Sequence, residues 1–201
     1  MAQTSSVIET TPVGWTINLE SIKLTDEQFD QICLDNPELR LELTAQGELI
    51  AMPPTGSWTG HRNTKLTQRL ANWADKDGTG IVFESSTLFK LPNGAKRSPD
   101  ASWIRRERYD QLTEEEKEGF SPICPDFVIE LRSRTDRLTT LQEKMAEYIE
   151  NGAQLGWLID PINKRVFIYR PEQPIECLDQ PESLSGESVL IGFTLNLREI
   201  W

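Results

Sequence analysis

Two short apolar stretches each carry an acid that a purely structural strand would not need. They are Ser98-Pro99-Asp100-Ala101-Ser102-Trp103-Ile104 and Pro125-Asp126-Phe127-Val128-Ile129-Glu130-Leu131-Arg132-Ser133. Both read as short buried strands. The expectation is that Asp100 and Glu130 face each other across neighbouring strands and hold a divalent metal. Carboxylates at strand ends suit hard cations such as magnesium or manganese. Such an ion polarises a phosphate and activates a water, and a nearby cation stabilises the developing charge. On a strand, Arg132 shares a face with Glu130. The Leu131 carbonyl between them is within a ligand's reach. Glu130 follows Phe127-Val128-Ile129, so it is a partly buried carboxylate that needs a partner. Each acid also has a structural alternative. Asp100 would bond nearby backbone in a Pro-Asp turn, and Glu130 would pair with Arg132 or Arg134. The two together, with a long helix following, say more than either alone.

The elements that must position these residues follow from the pattern. Residues 1–20 read as a flexible lead-in, and 21–201 as one domain. Thr25 caps a short helix through about Leu34, and Asn36-Pro37 stops it. Leu39 to Met52 reads as a hairpin turning at Ala45-Gln46-Gly47. A long helix runs from His61 to Lys76, with Leu66, Leu70 and Trp73 at helical spacing. Gly80 to Phe83 and Thr87 to Phe89 are candidate strands, and Tyr109 to Gly119 is acidic and partly helical. A second long helix spans Leu138 to Glu150, with Leu138, Leu141, Met145, Tyr148 and Ile149 on one face. Gln154 to Asp160 and Lys164 to Tyr169 form an antiparallel pair. Weaker strands follow at Ile175 to Leu178, Ser188 to Ile191 and Phe193 to Leu197. This order predicts an α/β (α+β) domain with a mixed central sheet flanked by helices, preceded by an N-terminal helix and hairpin.

Composition limits the function classes. The chain has 201 residues, 26% charged and 37% hydrophobic, which argues for a folded domain. It has no apolar run of about 18 residues, so no membrane helix is expected. The first residues lack a basic stretch followed by an apolar one, so no secretory signal is expected. Cys33, Cys124 and Cys177 form no CxxC pair. They read as incidental thiols in a reducing cytoplasm. A net charge of −11 argues against broad phosphate contact. Basic clusters at Lys96-Arg97, Arg105-Arg106 and Arg132 to Arg137 nevertheless adjoin the two acidic strands.

The chain resembles the Uma family of restriction endonuclease-like proteins, abundant in cyanobacteria and placed in the PD-(D/E)xK nuclease superfamily. The resemblance runs from the Thr25 helix through Leu41-Glu42-Leu43-Thr44-Ala45-Gln46-Gly47-Glu48-Leu49, Met52-Pro53-Pro54 and His61. It continues through Pro99-Asp100, Phe127 to Ser133 and Lys144, and ends in Gly156-Trp157-Leu158-Ile159-Asp160-Pro161. It implies a restriction endonuclease-like fold, with Asp100 and Glu130 as the two acids. The superfamily lysine is expected two residues after the second acid, where this chain has Arg132. The resemblance moves that lysine onto the following helix, as Lys144. An arginine stays charged and cannot act as a base, so Arg132 would be an electrostatic stabiliser. The alternative for Lys144 is a surface lysine whose stem covers the core edge. Ser133-Arg134-Thr135-Asp136 departs from the family's usual Ser-Pro-Ser.

Two further residues complete the candidate set. Glu48 would supply a third carboxylate, with Glu42 and Glu84 as lesser choices. His61, the single histidine, would bond a metal ligand or a phosphate at a helix start, or else be bonded locally. The leading expectation is a magnesium-dependent (or manganese-dependent) endonuclease. It uses Asp100, Glu130 and the Leu131 carbonyl as ligands, Lys144, Arg132, Glu48 and His61 around them, and double-stranded DNA as substrate. Cutting both strands implies a homodimer. The alternatives are a nucleic-acid-binding or regulatory protein that keeps the fold without catalysis, and a protein-interaction module.

Overall fold

A computed structural model describes residues 14–201. In chain order the elements are β1 (Trp15–Asn18), α1 (Asp26–Asp35), β2 (Arg40–Leu43), β3 (Glu48–Met52), α2 (Ser57–Asp77), β4 (Gly80–Glu84), β5 (Phe89–Lys90) and β6 (Lys96–Arg97). Then come β7 (Ala101–Arg105), α3 (Arg106–Tyr109), α4 (Glu114–Glu118), β8 (Phe127–Leu131), α5 (Leu138–Glu150), β9 (Leu155–Asp160), β10 (Arg165–Tyr169), β11 (Glu176–Asp179), β12 (Ser183–Ser185) and β13 (Thr194–Asn196).

The central sheet has the order β11-β10-β9-β8-β7-β4. Only β8 and β9 are parallel, and α5 joins them, as a parallel pair requires a crossover. The sheet is therefore mixed and flanked by helices, as expected. Its two faces follow from strand alternation. Phe127, Ile129 and Leu131 of β8 join Trp103, Trp157 and the α2 residues Leu66 and Leu70 in one apolar cluster. Val128 joins Ile104, Leu158 and the α5 residues Met145 and Tyr148 in the other. Glu130 alternates with Ile129 and Leu131, so it lies on the α5 side. That side of α5 carries Lys144 and Tyr148.

A second, antiparallel sheet has the order β1-β3-β2-β6-β5. The expected hairpin is β2-β3, turning at Gly47, whose φ of 85° is left-handed. Thr25 caps α1 in a capping box with Gln28. Phe29 of α1 packs on Leu41, Leu43 and Leu49 of the hairpin.

The expected strand at Thr87 to Phe89 is β5, shifted to Phe89–Lys90, and three further boundaries differ from expectation. The lead-in to residue 20 contains a strand, since β1 pairs with β3 through Trp15 opposite Ala51; residues 1–13 lie outside the described residues. Helix α2 begins at Ser57, a turn before His61. Near the C-terminus, Ser188 to Ile191 is a reversal. The strand there is β12, which pairs with β13.

Candidate active site

Pro99 and Asp100 sit where β7 begins, and their types explain the local geometry. The β7-β8 register places Ala101 opposite Ile129. Continued by two residues, it brings Pro99 opposite Leu131. Proline has no N–H, so the ladder ends there. The Leu131 N–H turns instead to Asp100 Oδ2 at 2.8 Å, and the Leu131 carbonyl has no donor from Pro99. Asn63 of α2 donates to Asp100 Oδ1 at 2.7 Å. Burial lifts the Asp100 carboxyl above its ordinary value, against the pull of the Leu131 amide, Lys144 and Asn63. The chain's other Pro-Asp pair shows the structural use of the motif. Asp126 is spent on the Arg105 N–H and the Arg108 guanidinium.

Glu130 is 4% exposed. Its Oε1 takes a 2.8 Å ion pair from Lys144 Nζ and a 3.2 Å hydrogen bond from the Tyr148 hydroxyl. Burial first, and then the charges of Asp100 and Glu42, push its carboxyl up to about 8, with Lys144 opposing. Lys144 Nζ also donates to Glu42 Oε1 at 2.8 Å and to the Ser98 carbonyl at 3.3 Å. All three ammonium donors are thus engaged. Burial works against the Lys144 charge, but Glu130 and Glu42 outweigh it and hold the ammonium above its ordinary value. Lys144 is a permanent cation at neutral pH, suited to charge stabilisation and unsuited to accepting a proton.

The structure brings Asp100, Glu130, Leu131, Arg132 and Lys144 to one cleft of about 810 Å³. Arg132 lines it, but its guanidinium is committed elsewhere. Nη1 donates to Asp160 Oδ2 at 2.9 Å and Nε to the Asp136 carbonyl at 3.3 Å. The strand ends at Leu131. The alternation that would have placed residue 132 beside residue 130 therefore no longer applies.

Glu48 and His61 lie apart from the cleft lining. Glu48 is on β3 opposite Asn18. His61 is exposed and stacked on Trp58, with ring centroids 5.3 Å apart. The earlier start of α2 puts His61 on the outer side of the helix, while Asn63 turns inward to Asp100.

A third acid, Glu42, lies buried beside Asp100 and Glu130. It takes the Ser98 N–H at 2.8 Å, Lys144 Nζ at 2.8 Å and Arg97 Nη1 at 3.2 Å. The sequence carries signals for Asn63 and Tyr148, which its reading leaves out of the site, and for Glu42, only a lesser choice there. Asn63 interrupts the apolar stripe of Leu66 and Leu70. Glu42 is an acid between two core leucines. Tyr148 reads as core, and its ring does pack there, but its hydroxyl reaches Glu130.

The donor set can be tested against a divalent cation. Burial raises the proton affinity of both carboxylates, and the Asp100 charge raises that of Glu130 further; the Leu131 carbonyl lacks its cross-strand donor, and the buried Asn63 Oδ1 has no hydrogen-bond partner. These hard oxygens fit magnesium or manganese. Among the described residues no group of three His, Cys, Asp or Glu side chains is arranged to hold a metal. Glu42 is taken by Lys144, Arg97 and Ser98, which leaves two carboxylates. Magnesium commonly uses one or two, with water and substrate completing its shell.

No curated protein matches the chain. Its fold is similar to that of a solved structure described as "a putative nuclease belonging to DUF820" from Anabaena variabilis ATCC 29413. The TM-score is 0.72 at 23% identity, covering 88% of this chain and 97% of that one. Residues 26–198 match the model of the Uma2 family, "Putative restriction endonuclease". The Pro-Asp strand end, the second acid on β8 and the lysine on α5 all fall within that span, and the chain belongs to the Uma2 family, with a PD-(D/E)xK-related, restriction endonuclease-like fold.

Proposed function

We propose that the protein is a metal-dependent endonuclease that hydrolyses phosphodiester bonds of nucleic acid, with DNA as the substrate. The observation that carries this reading is the convergence of Asp100, Glu130 and Lys144 on one cleft, with Lys144 Nζ held 2.8 Å from Glu130. Asp100, Glu130 and the Leu131 carbonyl would hold the ion. When bound, such an ion supplies Lewis-acid polarisation of the phosphate and a more acidic water. The residues of the chain do the rest. Asn63 and the Leu131 amide fix the Asp100 carboxylate. Tyr148 and Lys144 fix Glu130. Glu42 and the Ser98 carbonyl hold the Lys144 ammonium toward the cleft, where it neutralises charge developing on the phosphoryl oxygens. A site built on strand ends and one helix is rigid enough to position these groups before substrate arrives.

The test pairs manganese calorimetry with plasmid nicking, on wild type and Asp100→Ala. Binding and nicking should vanish together in the variant. A wild type that binds no divalent ion and nicks no plasmid would instead be a nuclease-like scaffold acting without catalysis. The net charge of −11 favours that second reading. Cleavage of both strands of a duplex commonly uses two sites related by symmetry, so the expected active species is a homodimer, checked by light scattering.

A further inference from the structure

The wall of the cleft away from the acids holds cations that the proposed chemistry does not use. Arg62 of α2 and Arg134 of the β8-α5 loop both line it. Among the described residues neither has a carboxylate within ion-pair distance, although Arg132 and Lys144 beside them are both paired. The Arg62 Nε is buried with no hydrogen-bond partner, and so is that of Arg40. Burial and the nearby charge of Arg134 both pull the Arg62 guanidinium below its ordinary value. Arg62 is half-buried and Arg134 exposed, and in a chain with 32 acids and 21 Lys and Arg their like charges carry a repulsive cost that no carboxylate offsets. An anion between them removes the cost, and a phosphate matches the guanidinium fork.

Trp58, one turn before Arg62 on α2, also lines the cleft and is 57% exposed. The Arg62 guanidinium carbon is 5.2 Å from the indole centroid. The His61 ring lies within 12° of parallel to the indole. The aromatic surface is therefore held in place next to the unpaired arginines. A flat exposed indole beside phosphate-binding cations is how single-strand-binding proteins receive a base. An intact duplex keeps its base faces stacked and has none to offer. A cleft of about 810 Å³ is also the size of a small-ligand pocket.

We propose that Trp58, Arg62 and Arg134 form a nucleotide subsite. The two guanidiniums hold a phosphate next to the one presented to Asp100 and Glu130, and the indole stacks the base attached to it. The preferred substrate is then a strand with unpaired bases: a single strand, a flap or a bubble. This rests on the reading of the cleft as a phosphodiesterase site.

The experiment is fluorescence anisotropy in EDTA, where no cleavage occurs, on the full chain. The probes are a labelled single-stranded DNA of about 16 nucleotides, the upper end of ordinary single-strand footprints, and a blunt duplex of the same length. The wild type should prefer the single strand. Trp58→Ala should weaken single-strand binding about tenfold or more, from the lost stacking, and Trp58→Phe should restore most of it. Arg62→Gln with Arg134→Gln should flatten the salt dependence by about 1.4 in log–log slope, from two lost contacts. These side chains border solvent, so the variants should melt like wild type, and thermal scans check that. Equal affinity for the two probes, a silent Trp58→Ala or an unchanged slope overturns the subsite. If plasmid nicking persists in that case, the endonuclease reading survives alone. Loss of both binding and nicking in the wild type overturns both.

Discussion

Glu42 and Lys144 lie 102 positions apart in the chain, and their side chains meet in a 2.8 Å charge-assisted hydrogen bond behind the two acids of the cleft. The contact ties the N-terminal hairpin to the helix that follows the second acidic strand. It also fixes which way the lysine points. Lys144 Nζ is equidistant, at 2.8 Å, from Glu42 and Glu130, so neither acid alone accounts for its position.

Replacing Glu42 by Gln keeps the shape and removes the charge. Lys144 and Arg97 would stay buried with one fewer counter-charge. Breaking one side of a buried pair typically costs about 3–5 kcal/mol. The amide oxygen still accepts a hydrogen bond, which puts the expected loss near 3 kcal/mol. Urea melts should show a lower midpoint at an unchanged slope. Adding Lys144→Met should recover part of the loss, because the unpaired ammonium is then gone. Strict additivity of the two changes would mean that Glu42 does not hold Lys144.

Lys144→Met separates metal binding from catalysis. The ammonium competes with a divalent ion for Glu130, so its removal should leave manganese binding intact or tighter. Nicking should fall about 10²- to 10³-fold, the usual effect of losing one donor to transition-state charge. Calorimetry and nicking on the same preparation check both. Loss of metal binding together with nicking would make Lys144 a structural support for the acids.

Glu130 gives the metal-free protein a pH signature. Its carboxyl is raised from 4.5 to about 8 in the fold. A raised carboxyl binds more protons folded than unfolded between those values, so stability falls as pH rises through that window. Asp100, Glu42, Lys144 and Tyr148 face this group; the two acids disfavour its ionised form, while the Lys144 charge and the hydrogen bond donated by the Tyr148 hydroxyl favour it. The Tm measured in EDTA should therefore drop from pH 5 to pH 8 by more in wild type than in Glu130→Gln. Manganese should flatten the wild-type profile by favouring the ionised form. Parallel profiles for the two proteins without metal would place the raised carboxyl elsewhere.

How much of this was legible in the sequence depends on the range of each contact. The Pro99-Asp100 strand end and Glu130 were visible because an acid inside a short apolar run is a local signal. Strand alternation then does the rest, turning Glu130 to the α5 side. Lys144 was reached by resemblance, and the helical face it borders agrees with where it points. Glu42 was passed over in favour of Glu48 because its partners, Arg97, Ser98 and Lys144, are all distant in sequence. Nothing local distinguishes the two acids of the hairpin except that Glu42 lies between core leucines. His61 was misplaced for a different reason. Helix α2 starts at Ser57 after Gly56, which can occupy the N-cap but makes no side-chain bond there, so the start is marked less clearly than by a bonded Ser, Thr, Asp or Asn.

Arg132 offers the sharpest test of site against spacing. It stands where the superfamily pattern expects a lysine, two residues after Glu130. Its guanidinium instead spans Asp160 Oδ2 and the Asp136 carbonyl, bracing the loop after β8 against the end of β9. Asp160 is held in turn by Asn163 and the Ile162 N–H. Arg132→Lys would restore the expected spacing on paper. A lysine ammonium lacks the planar fork that makes both contacts at once, and the end of the strand at Leu131 directs position 132 toward Asp160. Arg132→Lys placed in the Lys144→Met background should therefore leave nicking as low as Lys144→Met alone, and should lower Tm by a few degrees. Recovery of nicking in the double variant would mean that position 132 reaches the acids, and that the lysine of α5 is a substitute rather than the residue the site was built on.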